Sequence, residues 1–86
     1  MGIVAQYLRE FTEARRYYKL ALEIKLEFGD RYKCASTYAK LGLLAEVEED
    51  YTEARANLQK ALEIFIEYQD EYNVAVVREA LERLPE

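Results

Sequence analysis

The 86-residue chain contains no histidine and no tryptophan, and only one cysteine, one proline, one methionine and three glycines. Without histidine, the commonest general base and metal ligand is missing, which removes most catalytic triads and zinc sites. A single cysteine cannot form an internal disulfide, so nothing points to an oxidising compartment. Three glycines leave no room for a glycine-rich phosphate loop, and so few turn formers do not suit a many-turned β protein. No apolar run reaches the roughly 18 residues of a membrane-spanning helix, and no signal peptide is visible, so the expected location is the cytoplasm.

What is present describes a small folded chain. Apolar residues make up 51% and charged residues 34%, which is a globular rather than a disordered balance. A chain this short buries about 60–65% of its unfolded surface and can build one thin core. Seventeen acidic groups against 12 basic ones give a net charge of −5. That charge repels nucleic acid and anionic membrane surfaces on average, so neither is an expected partner.

Displaced by 40 residues, the chain matches itself. Thr12-Glu13-Ala14-Arg15 returns as Thr52-Glu53-Ala54-Arg55, and Ala21-Leu22-Glu23-Ile24 as Ala61-Leu62-Glu63-Ile64. Gly2 and Ala5 return at Gly42 and Ala45; Glu27, Asp30, Tyr32 and Ala35 return at Glu67, Asp70, Tyr72 and Ala75. With Leu41, Leu44 and Glu46 recurring at Leu81, Leu84 and Glu86, 17 of the 46 overlapping positions are identical. A fixed period of this size marks stacked repeats.

Within each repeat the apolar spacing is helical. Phe11, Ala14, Tyr18, Ala21 and Phe28 share a stripe, as do Tyr51, Ala54, Leu58, Ala61, Phe65 and Tyr68. Tyr38, Leu41, Leu44 and Ala45 form the facing stripe of the intervening helix. Gly29-Asp30 reads as a helix stop followed by an N-cap, Asp70 repeats the cap, and Asp50 with Glu53 has the spacing of a capping box. The expected elements are a half helix over 1–9 and helices over 12–28, 31–48, 51–68 and 71–84, forming one domain over 1–86. Short joints make sequence neighbours antiparallel. The expected fold class is all-α, built from antiparallel helical hairpins.

Tyr38, Leu41, Gly42 and Ala45, followed by Ala54, Leu58 and Ala61, resemble the large–Leu–Gly–large and small-residue pattern of the tetratricopeptide repeat family. Gly2, Ala5, Ala14, Tyr18 and Ala21 carry the same pattern one period earlier, so the resemblance spans essentially the whole chain. It departs from the family in two ways: the period is 40 rather than 34, as in the long-repeat subclass, and Glu82 stands where Gly42 stood. The resemblance implies hairpins stacked as a short right-handed solenoid. It also implies a non-enzymatic module that holds a peptide or helix of a partner protein, without a cofactor. Met1-Gly2 falls midway along a first helix, so either a longer solenoid or another copy is expected to complete the stack.

Other candidate chemistry has plainer readings. Cys34 has no histidine to activate it and aligns with Val74, so it reads as a packed small hydrophobe. Glu46, Glu48, Glu49 and Asp50 lack the glycine-bearing turn of a calcium loop and read as a solvated helix end plus a cap, open to a basic partner. Six of the eight tyrosines (18, 32, 38, 51, 68 and 72) sit at stripe or joint positions and are expected to pack, not to stack on bases in a basic groove. Tyr7 and Tyr17 stay open.

The resemblance places a ligand on the concave face lined by the first helix of each hairpin. By helical spacing that face carries Gln6, Ser36, Ala39, Lys40, Leu43, Glu46, Val47, Val76, Glu79 and Arg83, with Ile3, Tyr7 and Ala80 beside them. Ala39 and Leu43 stand where a carboxylate clamp would want Lys and Asn, so an anionic peptide terminus is not the expected ligand; no metal or cofactor site is expected. A second function remains open. Residues 1–45 carry 8 basic and 5 acidic groups and residues 46–86 carry 4 and 12, a polarity suited to self-assembly through the exposed helix ends.

Overall fold

The computed structural model describes the backbone of residues 2–85 and the side chains of residues 10–85. Four helices follow one another: α1 (Gly2–Glu27), α2 (Arg31–Val47), α3 (Tyr51–Glu67) and α4 (Glu71–Arg83). Each packs against its neighbour in sequence, and the α2–α3 pair is the most extensive. The architecture is all-α, made of stacked antiparallel hairpins, in a slab of 45 × 32 × 19 Å.

All three joints are built alike. Asp30, Asp50 and Asp70 each accept a hydrogen bond from the backbone N–H three residues on, at 3.2 Å. An aspartate cap of this kind contributes about 1 kcal/mol. Before each cap stands one residue in the left-handed region: Gly29 at φ 71°, Glu49 at 63° and Gln69 at 58°. The aspartate N–H then donates back to the carbonyl of Lys25, Ala45 or Phe65 at 2.9 Å, closing a Schellman turn. The capping box expected at Asp50 is half formed. Glu53 donates its N–H to Asp50, but its carboxylate lies 3.5 Å from Arg15 while the Asp50 N–H goes to Ala45.

The expected break near residue 10 is absent, and a single helix runs through Gly2–Glu27 in place of a half helix over 1–9 and a helix over 12–28. The equivalents of Glu49 and Asp50 are Arg9 and Glu10. Glutamate is too long to take over the aspartate cap, and arginine is a good helix former, so nothing stops the helix there. Local chemistry overrides the repeat at this joint.

The core lies between α2, α3 and α4. Ala35, Ala45, Ala54, Leu58, Ala61, Ile64, Phe65, Val77, Ala80 and Leu84 are buried together. Small residues let the backbones approach. A Cβ placed on Gly42 would lie 2.6 Å from Leu58 Cγ and 3.2 Å from the Ala54 carbonyl oxygen, so only glycine fits. Cys34 is buried as well, and burial pushes its thiol pKa up, away from the reactive thiolate. Not every expected core aromatic is inside: Phe28 and Tyr72 are exposed with no described helix over them, and Tyr32 and Tyr68 are exposed although their rings meet edge-on.

Candidate functional site

Side by side in the stack, α2 and α4 leave a groove of about 270 Å³ between them. Ser36, Ala39, Lys40 and Leu43 from α2 and Val76 from α4 line it, and all five were expected on the concave face. Helical spacing places them: 36, 39, 40 and 43 follow the three-and-four rhythm of one helical face. Phe65 of α3 and Val77 of α4 add buried apolar surface from the core. Among the described residues lining the groove, Lys40 alone carries a charge.

The two ends of the groove are pinned by polar contacts between repeats. At one end Arg83 donates from Nε and Nη2 to the two carboxylate oxygens of Glu46, both at 2.8 Å. This pair holds the Glu46 carboxyl below the usual carboxylate range and raises the Arg83 guanidinium. At the other end Tyr32 donates its hydroxyl to Asp70, which lowers the Asp70 carboxyl and raises the Tyr32 phenol. Asn73 Nδ2 also donates to Asp70, at 2.6 Å.

The remaining expected residues fall elsewhere. Glu46 and Arg83 bond to each other, so they brace α2 against α4 rather than stand open to a ligand. Val47 lies outside that lining and joins Lys40 and Leu43, which border both, in an adjoining groove of about 430 Å³ against α1. Glu79 is exposed on α4 outside the lining of the α2–α4 groove. The side chains of Gln6, Ile3 and Tyr7 lie outside the described residues. Tyr32, Phe65, Asn73 and Val77 were not expected in the lining, since the stripe assigned Tyr32 and Phe65 to packing. The spacing of Asp70 and Asn73 held a signal, because a cap and its third residue share one helix end.

Three of the four residues of the acidic cluster are engaged within the chain. Arg15 Nη2 lies 2.6 Å from Glu48, Arg83 pairs with Glu46, and Asp50 caps α3. Among the described residues no group of three His, Cys, Asp or Glu side chains could hold a metal ion, and no helix is long and apolar enough to cross a membrane.

Paired helices with aspartate-capped joints, close small-residue contacts and a 40-residue period define a helical-hairpin repeat protein. The tetratricopeptide repeat family model matches residues 1–67, and the chain belongs to that family. Its members act as protein–protein interaction modules, and that class of function is this chain's. Searches of curated proteins and of solved structures returned no significant match.

Proposed function

We propose that the α2–α4 groove is the ligand site, and that it takes a short segment of a partner protein. The observation that carries this is the gathering of Ser36, Ala39, Lys40, Leu43 and Val76 around one opening with Phe65 and Val77 beneath. The lining is apolar with a lone ammonium at one wall, and Ser36 and Asn73 supply hydrogen-bonding groups. An apolar side chain seated over Phe65 and Val77, with an acidic or carbonyl group near Lys40, satisfies that chemistry. With one cation in the lining, a double-lysine carboxylate clamp does not form. The reading is of a binding module, the class of function its family carries.

Peptides selected from a random display library test this directly. Leu43→Ser and Lys40→Glu should each weaken the selected peptides about tenfold, equal to about 1.4 kcal/mol, by calorimetry at unchanged melting temperature. Unchanged affinity in both variants would move the site off this groove.

A further inference from the structure

Inside the chain, one tyrosine locks successive repeats. The Tyr32 ring meets Phe65 edge-on at 5.9 Å and Tyr68 at 5.2 Å, and its hydroxyl bonds the cap Asp70. A plug on the first helix of one repeat thus enters a socket made by the end of the following helix and the next cap.

The 40-residue period copies the plug and most of the socket to the outer helices, with Lys25 standing where the socket has Phe65. Tyr72 is the counterpart of the plug, and Phe28 with Asp30 is the counterpart of Tyr68 with Asp70. The aromatic part of each half is open to solvent: Phe28 is 81% and Tyr72 77% exposed, the highest values among the large hydrophobic residues described, while Asp30 caps α2 as Asp70 caps α4. The helices behind them are open in the same complementary way. Ala14, Tyr18 and Ala21 of α1 are half-buried beside the α1–α2 groove, whereas their counterparts Ala54, Leu58 and Ala61 are fully covered. On α4, Val74 and Ala75 border a second open groove of about 660 Å³, whereas their counterparts Cys34 and Ala35 are buried.

Charge points to the same occupant. The α1–α2 groove carries Lys25 and Lys40 against Glu10, and the half of the chain that holds it has 8 basic and 5 acidic groups. The half that ends in α4 has 4 basic and 12 acidic groups; on α4 itself Glu71, Glu79 and Glu82 are exposed beside Arg78 and Arg83, a small acidic excess. We infer that a second copy of the chain docks head to tail: α4 of one molecule lies along α1 and α2 of the next, and Tyr72 plugs onto Phe28 and Asp30. Because the two surfaces differ, each addition leaves a fresh end, and copies that continue the stacking of the repeats extend as an open array.

The joint is weaker than the internal one for three reasons visible in the sequence. Lys25 stands where Phe65 meets Tyr32, so one ring contact is missing. Glu82 replaces Gly42, so α4 cannot approach its partner as closely as α2 approaches α3. In addition, Glu71 meets Glu27 where Arg31 bonds Glu67 at 2.6 Å inside the chain. Association is therefore reversible and improvable.

This inference does not rest on the ligand groove: Lys40 and Leu43 border both surfaces, but the lock residues Tyr72 and Phe28 line only the docking surface. Sedimentation velocity from low micromolar to millimolar chain should show a mass that rises with concentration and falls back at high salt. Tyr72→Ala and Phe28→Ala, both at exposed sites, should each stay monomeric with unchanged helix content. Mixed in equal amounts they should form a dimer and stop there, because one plug and one socket survive. Glu71→Arg should tighten the wild-type association severalfold by restoring the counterpart of the Arg31–Glu67 pair. A wild-type monomer throughout, association that survives either alanine variant, a mixture that stays monomeric, or a Glu71→Arg variant that associates no better would each overturn the head-to-tail lock. Peptide binding retained by Tyr72→Ala would show that the two surfaces are separate.

Discussion

Helices α1 and α3 carry the same motifs, Thr-Glu-Ala-Arg and Ala-Leu-Glu-Ile, yet they live in different surroundings. Ile64 on α3 is 3% exposed, and its counterpart Ile24 on α1 is 48% exposed. Leu58 is enclosed by α2, while Tyr18 at the same repeat position is half-buried along an open groove. The motif makes a helix with an apolar face in both places. Whether that face becomes core depends on the neighbours, since the driving force scales with the apolar area that other elements remove from water.

The comparison can be broken most sharply at its centre. Leu58→Ala should cost about 3 kcal/mol in urea unfolding, as expected for a fully buried leucine, whereas Tyr18→Ala should cost about 1 kcal/mol. Equal losses would mean that α1 is as well covered as α3. Gly42→Ala should come next, at about 1–3 kcal/mol, because its methyl group would collide with Leu58 where α2 and α3 touch. A neutral result by thermal melting would show that the two helices can slide apart freely.

The joints offer a smaller, opposite effect. Glu49 and Gln69 hold the left-handed conformation that glycine holds at Gly29. Gln69→Gly should therefore stabilise the chain by roughly 0.5–1 kcal/mol, read as a raised melting temperature. The smallest expected effect is the pH dependence of the α2–α4 brace. Arg83 lowers the folded-state pKa of Glu46, so the brace contributes fully above the unfolded value of about 4.3 and is lost as pH falls through the lower folded value. With Arg83 largely in solvent, the contribution is about 0.5 kcal/mol or less. Comparing wild type with Glu46→Gln in unfolding titrations from neutral to acidic pH should show the two curves converge as the solution is acidified.

Much of the fold was legible because its determinants are local. Aspartate caps at positions 30, 50 and 70 mark each joint through a side chain that reaches only three residues. The apolar spacing marks each helix through its own periodicity. The joint expected near residue 10 failed for the same reason, since it was inferred from the distant copy while Arg9 and Glu10 locally favour helix. The left-handed turns at Glu49 and Gln69 gave no sign, because neither residue prefers that conformation. In the candidate groove, Ser36, Ala39, Lys40, Leu43 and Val76 followed from helical spacing on α2 and α4. Phe65 and Val77 did not, because they enter it from the core and belong to two environments at once.

The scarcity of histidine, cysteine and glycine, the 40-residue period and the capped helices were determined by the sequence alone, and together they define the family and exclude most chemistry. Only the tertiary structure decided that Glu46 and Arg83 bond to each other, that Arg15 reaches Glu48, and that Tyr32 is locked while its twin Tyr72 stands in solvent. The physical reason is reach: caps and periodicity act within a turn or two of helix, whereas pairing and burial require a surface from another part of the chain. For identical motifs, the presence or absence of that surface makes the difference.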